Sequence, residues 1–298
     1  MRIDMQESPL ASGLDAKTWD LAITGAAVDD RGDAAIAFAS SKCQTVSVAS
    51  YDADTFAITI DGISRNAEQA AELLDPYVGK TVLLETTTLG FVELFLCTKA
   101  LRQLNVGSLS LLYVEPLEYT TTSGARLLHR RDFELSAEVP GFKGIPGATL
   151  VTTARTSQRV AFFLGFEERR LDVALQTQMI NPSDAVVIFG VPAFTPGWEM
   201  HSFANNIRVI SDNALSGGVQ FCGAENPAAA YGILLALYES LLQNERLIIG
   251  PIGTKPAGIG TAIFAATHPD VGLLYDHPRR SQKRTAKVAR WHLFDIEF

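Results

Sequence analysis

Cysteine is scarce in this chain: Cys43, Cys97 and Cys222 stand far apart, odd in number and with no CxxC spacing. That usage excludes a disulfide framework and a cysteine zinc site, and it fits a reducing cytoplasm. Long apolar runs are missing as well. No stretch approaches the roughly 18 uninterrupted apolar residues that a membrane helix needs, so no membrane span is expected. The opening residues MRIDMQESPLASGLDAKTWD carry early acids and no apolar centre, and no secretory signal is expected there. Positive charge is in deficit. With 25 Lys+Arg against 33 Asp+Glu the net charge is -8, the wrong sign for a protein that coats nucleic acid generally, although a local basic pocket is compatible with it. Familiar catalytic signatures are absent too: there is no GxSxG elbow, HExxH pair, EF-hand loop, Cys/His metal spacing or GxxxxGK[ST] phosphate loop. Gly258-Ile259-Gly260 lacks the spacing of a dinucleotide fingerprint. His129, His201, His268 and His292 are isolated and read as structural or exposed. No metal is indicated, and the cofactor, if any, is not named by the residues.

What is present is a core-forming chain of 298 residues, 47% hydrophobic and 19% charged, long enough for one large domain or two ordinary ones. Short buried strands alternate with helical runs, the grammar of an α/β fold. LAITG (Leu21 to Gly25) is followed by the polar turn Asp29-Asp30-Arg31-Gly32-Asp33 and an alanine-rich helix. TVSVASY, the hairpin strand FAITID and a helical NAEQAAELLDPYV lead to strand TVLLE, which ends in Thr86-Thr87-Thr88. Helix FVELFLCTKALRQL and strand SLSLLYV follow, the latter ending in Glu115-Pro116-Leu117-Glu118-Tyr119; a polar stretch then runs to Pro140 and reads as a boundary.

The second part repeats this order. VAFFLG precedes Glu167-Glu168-Arg169-Arg170 as LAITG precedes Asp29-Asp30-Arg31. Helix LDVALQTQM and strand AVVIFGV follow, then a long connection from Pro192 through Asp212, helix PAAAYGILLALYESLLQ and strand RLIIGPI. Gly253-Thr254-Lys255-Pro256 stands where the threonines stood, and Tyr275-Asp276-His277-Pro278 matches Tyr113-Val114-Glu115-Pro116. Four matches in order predict an internal duplication: two tandem Rossmann-like halves, 1–139 and 140–298, with mainly parallel sheets related by a pseudo-twofold axis. Similar loops from both halves would then face one composite cleft. The alternative is two unrelated βαβ stretches that share only a grammar.

In open parallel sheets ligands sit outside the carboxyl ends of the strands, and these loops lie there. Gly253 lets backbone approach a ligand, Thr254 caps a helix or donates to an oxyanion, and Lys255 adds charge, a combination suited to phosphate or carboxylate. The bland reading is an ordinary strand-to-helix turn with Pro256 at the first helical position. Thr86, Thr87 and Thr88 offer hydroxyls without charge, or simply extend a strand and cap a helix. Asp29, Asp30, Glu167 and Glu168 are the candidate acids, bases or metal ligands of an enzyme, and Arg169 beside them is a candidate phosphate grip. Acids capping a helix start are the plain alternative. Tyr275 would stack on a base while His277 and Arg279 meet a phosphate, against the reading of a solvated charged face. Trp198 and Asn206 mark the connection after Pro192 as a lid or base-recognition loop, or else as a packed excursion.

The strand, Gly253-Thr254-Lys255 turn and Ala/Gly-containing helix resemble the CRISPR-associated Rossmann-fold sensor domains over about 30 residues. The resemblance implies a cyclic-oligonucleotide type of ligand and a setting in prokaryotic defence. The first half departs from the pattern, with threonines in place of the lysine loop. Three functions stay open: a nucleotide-binding sensor or regulatory subunit acting through a separate effector protein, a nucleotide-processing enzyme that cleaves glycosidic or phosphodiester bonds, and a non-catalytic scaffold subunit.

Overall fold

The computed structural model describes residues 1–14, 17–120, 133, 135–150 and 156–298. The chain divides into two compact units, residues 1–120 with 282–298 and residues 121–281. Most of the polar stretch expected as a boundary before Pro140, His129 included, lies outside the described residues.

Hydrophobic runs become buried strands, and polar residues at their ends start helices. The first unit contains β1 (Arg2–Ser8), β2 (Trp19–Thr24), α1 (Asp30–Lys42), β3 (Cys43–Asp52), β4 (Ala57–Ile60), β5 (Ile63–Asn66), the short α2 (Ala70–Leu74), β6 (Thr81–Glu85), α3 (Phe91–Gln103) and β7 (Ser108–Tyr119). The second contains β8 (Ser136–Glu138), β9 (Lys143–Gly144), β10 (Ser157–Leu164), α4 (Glu168–Thr177), β11 (Ala185–Gly190), α5 (Trp198–Asp212), β12 (Val219–Cys222), α6 (Pro227–Glu239), β13 (Glu245–Pro251), α7 (Lys255–Thr267), β14 (Gly272–Tyr275) and β15 (Arg279–Arg280). β16 (Thr285–Glu297) then rejoins the first unit. Side chains cap three of the helices: Asp29 accepts from the Gly32 amide, Asn226 from Ala229 and Thr254 from Ala257.

The first unit's sheet has the order β1-β16-β7-β6-β2-β3-β4-β5. Its middle, β7-β6-β2-β3, is parallel, whereas β16 pairs antiparallel with both β7 and β1. The second unit's sheet runs β12-β11-β10-β13-β14-β9, parallel from β12 to β14 and antiparallel only at β9. The class is therefore mixed α/β. In each unit one early strand, β2 or β10, is central; the next parallel strand lies on one side and the later ones on the other. That reversal creates a switch point between β2 and β6, and another between β10 and β13, where loops diverge at the carboxyl ends.

Each unit has its own core. Trp19, Leu83, Leu112, Val114 and Leu293 pack with Phe38 of α1, whose ring lies 5.5 Å from Trp291. In the second unit Phe162, Leu164, Leu171, Val187, Phe189 and Val209 form the corresponding cluster. Helices α6 and α7 approach so closely that a Cβ on Gly260 would lie 2.4 Å from the Pro227 carbonyl oxygen. Only glycine fits that crossing.

Four expectations change. Glu115 to Tyr119 is not a loop but the continuation of β7, paired with β16; Pro116 is tolerated there beside a register shift. The C-terminal run WHLFDIE is a strand of the first unit's sheet, so the second unit ends near residue 281 rather than at 298. Residues 198–212 form a 15-residue helix, not an irregular lid. Pro256 is the second helical residue, since α7 begins at Lys255.

Candidate functional site

At the second unit's switch point, Gly165 follows β10 and Ile252-Gly253-Thr254 follows β13. A Cβ on Gly253 would come within 3.0 Å of the Leu164 carbonyl oxygen, so glycine is what lets the two strand ends meet. Thr254 donates its hydroxyl to the Ala224 carbonyl at 2.8 Å and accepts from the Ala257 amide, fixing the start of α7. Lys255 is the first residue of that 13-residue helix, where the aligned backbone dipoles favour an anion. Gly253, Thr254 and Lys255 are all partly exposed.

The end of β14 is joined to this loop by a residue the sequence reading passed over. Arg170, in the first turn of α4, is buried and reaches the carboxylate of Asp276 with Nε at 2.7 Å and Nη2 at 2.6 Å. Its Nη1 donates to the Ile252 carbonyl at 3.2 Å. Burial opposes the charge of the guanidinium, and the Asp276 bonds outweigh it, holding Arg170 above its ordinary range. Arg169, its neighbour and the expected phosphate grip, is exposed. The helical register explains the exchange: with α4 starting at Glu168, residue 170 turns inward and 169 outward.

Tyr275 and His277 meet edge to face at 5.3 Å, and His277 Nε2 lies 3.3 Å from the Lys143 carbonyl. His277 has a left-handed φ of 48°. Burial draws its imidazole below the ordinary 6.5, against the opposing pull of the Lys143 carbonyl and Asp276. Arg279 is exposed and paired with Glu138 at 2.8 Å.

Stability should therefore depend on His277 in a defined pH window. A histidine whose folded pKa is depressed leaves stability intact above about 6.5, the unfolded value, and removes it as the pH falls below that value, because the unfolded chain takes up the proton first. In His277→Asn, which tolerates the left-handed backbone, urea midpoints are expected to fall less between about pH 7 and pH 5.5 than in wild type. Equal slopes in the two proteins would remove the assignment.

The candidate acids all have structural partners. Glu167 accepts from the amide and hydroxyl of Ser136, both at 3.0 Å, and Glu168 pairs with Arg208 at 3.1 Å. In the first unit Asp29 caps α1 and contacts buried Arg31 at 3.2 Å, while Asp30 accepts from the Lys287 amide at 2.8 Å. Burial works to raise the Asp29 carboxyl; Arg31, with hydrogen bonds from Thr285 and Gly32, outweighs it and leaves the group below the usual carboxylate range. Arg31 also donates to the Val114 carbonyl at 2.8 Å and to Thr285 at 2.9 Å. Each unit thus has a buried arginine in the helix after its central strand, Arg31 bonded to the middle of β7 and the start of β16 and Arg170 to the chain just beyond β13 and β14.

Thr86, Thr87 and Thr88 are buried, and their polar atoms bond within the first unit. The Thr86 hydroxyl donates to the Leu112 carbonyl at 2.7 Å, Thr87 Oγ1 accepts from the Val114 amide at 3.0 Å and Thr88 Oγ1 accepts from the Gly25 amide at 2.8 Å. A Cβ on Gly25 would lie 2.4 Å from the Thr88 carbonyl oxygen, so this switch point is filled by the chain itself. Beneath the loop, fully buried Glu85 accepts from the Thr87 amide at 2.7 Å, the Thr88 amide at 3.0 Å and the Thr88 hydroxyl.

On α5 polar side chains share the inner face with Val209 and Ile210. Ser202, Asn205 and Asn206 face inward, with Ser202 and Asn206 donating to the Gly165 carbonyl at 2.9 Å and Asn205 to that of Phe166 at 2.7 Å. Met200 and Ile207 are exposed. Trp198 packs edge to face on Phe166 at 6.3 Å. Trp198 and Asn206 therefore brace the end of β10.

Burial pushes the Cys43 and Cys222 thiols up to about 11 and Cys97 to about 12, which favours the protonated thiol near neutral pH. No helix among the described residues is long and apolar enough to cross a membrane. Within the second unit, Arg170 and Asp276 link Ile252, next to Gly253-Thr254-Lys255 in the chain, with the segment that carries Tyr275 and His277; Thr86 to Thr88 belong to the first unit's interior. Comparison of the chain with protein-family models finds no match, and comparison with curated protein sequences finds none either.

Proposed function

We propose that this chain is a nucleotide-binding sensor or regulatory subunit, with a phosphorylated ligand held at the carboxyl ends of the second unit's strands. The observation that carries the reading is the position of Gly253-Thr254-Lys255: at a switch point, leading into a 13-residue helix that Thr254 caps and Lys255 begins. A helix N-terminus with a flanking lysine and a glycine that permits close approach has the chemistry of phosphate binding. Tyr275 supplies a ring for stacking and His277 a ring nitrogen beside it. The first unit, whose switch point is filled by Thr86 to Thr88, serves as the non-binding half. The bonds made by Asp29, Asp30, Glu167 and Glu168 support structural roles for these acids, so the ligand is bound rather than cleaved, and a separate effector protein supplies the output.

Thermal unfolding against mono-, di- and cyclic nucleotides tests this. A ligand at about 100 times its dissociation constant adds roughly 2.7 kcal/mol of stability. At least one nucleotide is expected to stabilise the wild type by such an amount, to be recovered intact and to lose its effect in Lys255→Ala. Consumption of the nucleotide would make the protein an enzyme, and no shift with any member would end the nucleotide reading.

A further inference from the structure

We propose that Arg170 and Asp276 form a keystone coupling two strand-end loops of the second unit, residues 252–255 and 275–279, so that a change of charge on one is registered on the other. The ligand-binding role of these loops rests on the reading above; the coupling between them does not.

The path is short. Asp276 precedes His277 in the chain, is fully buried and has both carboxylate oxygens held by the Arg170 fork, so it cannot swing toward water. The remaining Arg170 amino group holds the Ile252 carbonyl, and Glu167 lies 3.7 Å from the same nitrogen. A bidentate guanidinium–carboxylate pair fixes angle as well as distance, and burial spares it from screening by salt. Movement of Asp276 therefore rotates the fork against Ile252. The Ile252 carbonyl belongs to the same planar peptide group as the Gly253 amide, so the displacement arrives directly at the glycine-threonine-lysine turn.

His277 is the natural input. Its ring is pinned by the Lys143 carbonyl of β9 and the Tyr275 ring, and its backbone occupies the left-handed region, which leaves little slack to absorb a new charge locally. The charged groups around it are Asp276 beside it in the chain, Lys143 on β9 and, through Asp276, Arg170 on α4. Protonation draws Asp276 toward the imidazolium and away from Arg170, and it repels Lys143.

The test uses amide proton–nitrogen spectra of the full chain without ligand, following the Gly253 amide and the His277 ring from about pH 8 to about pH 5. The Gly253 amide is expected to shift with the midpoint of the His277 ring, whereas Gly218, which precedes β12 and lies beside the start of β11, stays still. In Asp276→Asn and Arg170→Lys the ring still titrates and the Gly253 response is lost. In His277→Asn it is lost as well, and this arm decides the matter if the keystone variants do not fold. A Gly253 amide that stays still in wild type, or that keeps its midpoint in His277→Asn, overturns the proposal. A failed nucleotide screen leaves this result untouched.

Discussion

Replacing Arg170 by methionine is expected to cost the second unit about 3–5 kcal/mol, the cost of leaving one partner of a buried ion pair without the other. Asp276 is fully buried and has the Arg170 fork on both oxygens, so the methionine variant strands a carboxylate in the interior together with the Ile252 carbonyl. The chain has two compact units, and a single global midpoint would mix them. Hydrogen exchange read segment by segment separates the two. Protection in β10, β13 and β14 is expected to fall by about two to four orders of magnitude, with the first unit's strands less affected. Arg170→Met combined with Asp276→Leu should recover much of the loss, because an apolar pair of similar volume removes the stranded charge. A double variant as unstable as the single one would show that the Ile252 bond, not the ion pair, matters.

The first unit has a comparable point of failure at Glu85. Its carboxylate takes the Thr87 amide, the Thr88 amide and the Thr88 hydroxyl in a fully buried position. Glu85→Ala leaves three buried donors unmet, at about 1–3 kcal/mol each, so a loss of about 3 kcal/mol or more is expected. Glu85→Gln keeps the volume but turns an NH2 group toward a donor, and should lie between alanine and wild type. Because the loop above Glu85 bonds to Gly25, Leu112 and Val114, exchange should accelerate together at the ends of β2 and β6 and in the middle of β7. Unchanged protection at β7 would mean that the threonine loop does not hold the sheet.

Both expectations concern residues that the sequence hides. The strands around Leu21, Val82, Val160, Val186 and Ile248 were legible because each is a short apolar run between polar turns, and the mixed α/β class follows from their alternation with helices. The Gly253-Thr254-Lys255 turn was legible for the same reason. Helix α5 was not: Pro192, Pro196 and Gly197 signal a loop, and its buried face mixes Ser202, Asn205 and Asn206 with Val209 and Ile210 while Met200 and Ile207 face outward, so its apolar period is blurred. β16 is apolar along WHLF but follows a basic stretch, and nothing local tells that it pairs with β7 rather than with a neighbour in the chain. Asp276 was in view as part of the motif after β14, yet its partner sits 106 residues away. The choice between Arg169 and Arg170 turned on where α4 begins, and one residue of helical phase separates an exposed arginine from a buried one.

The most direct test of a ligand site on the second unit's strand ends is to map amide shifts across the full chain on adding a mixture of mono-, di- and cyclic nucleotides. Changes centred on Gly165, Gly253 to Lys255 and Tyr275 to Arg279 are predicted, with Gly25 and Thr86 to Thr88 unmoved. Changes centred on Gly25 and the threonine loop, or none at all, would contradict the account.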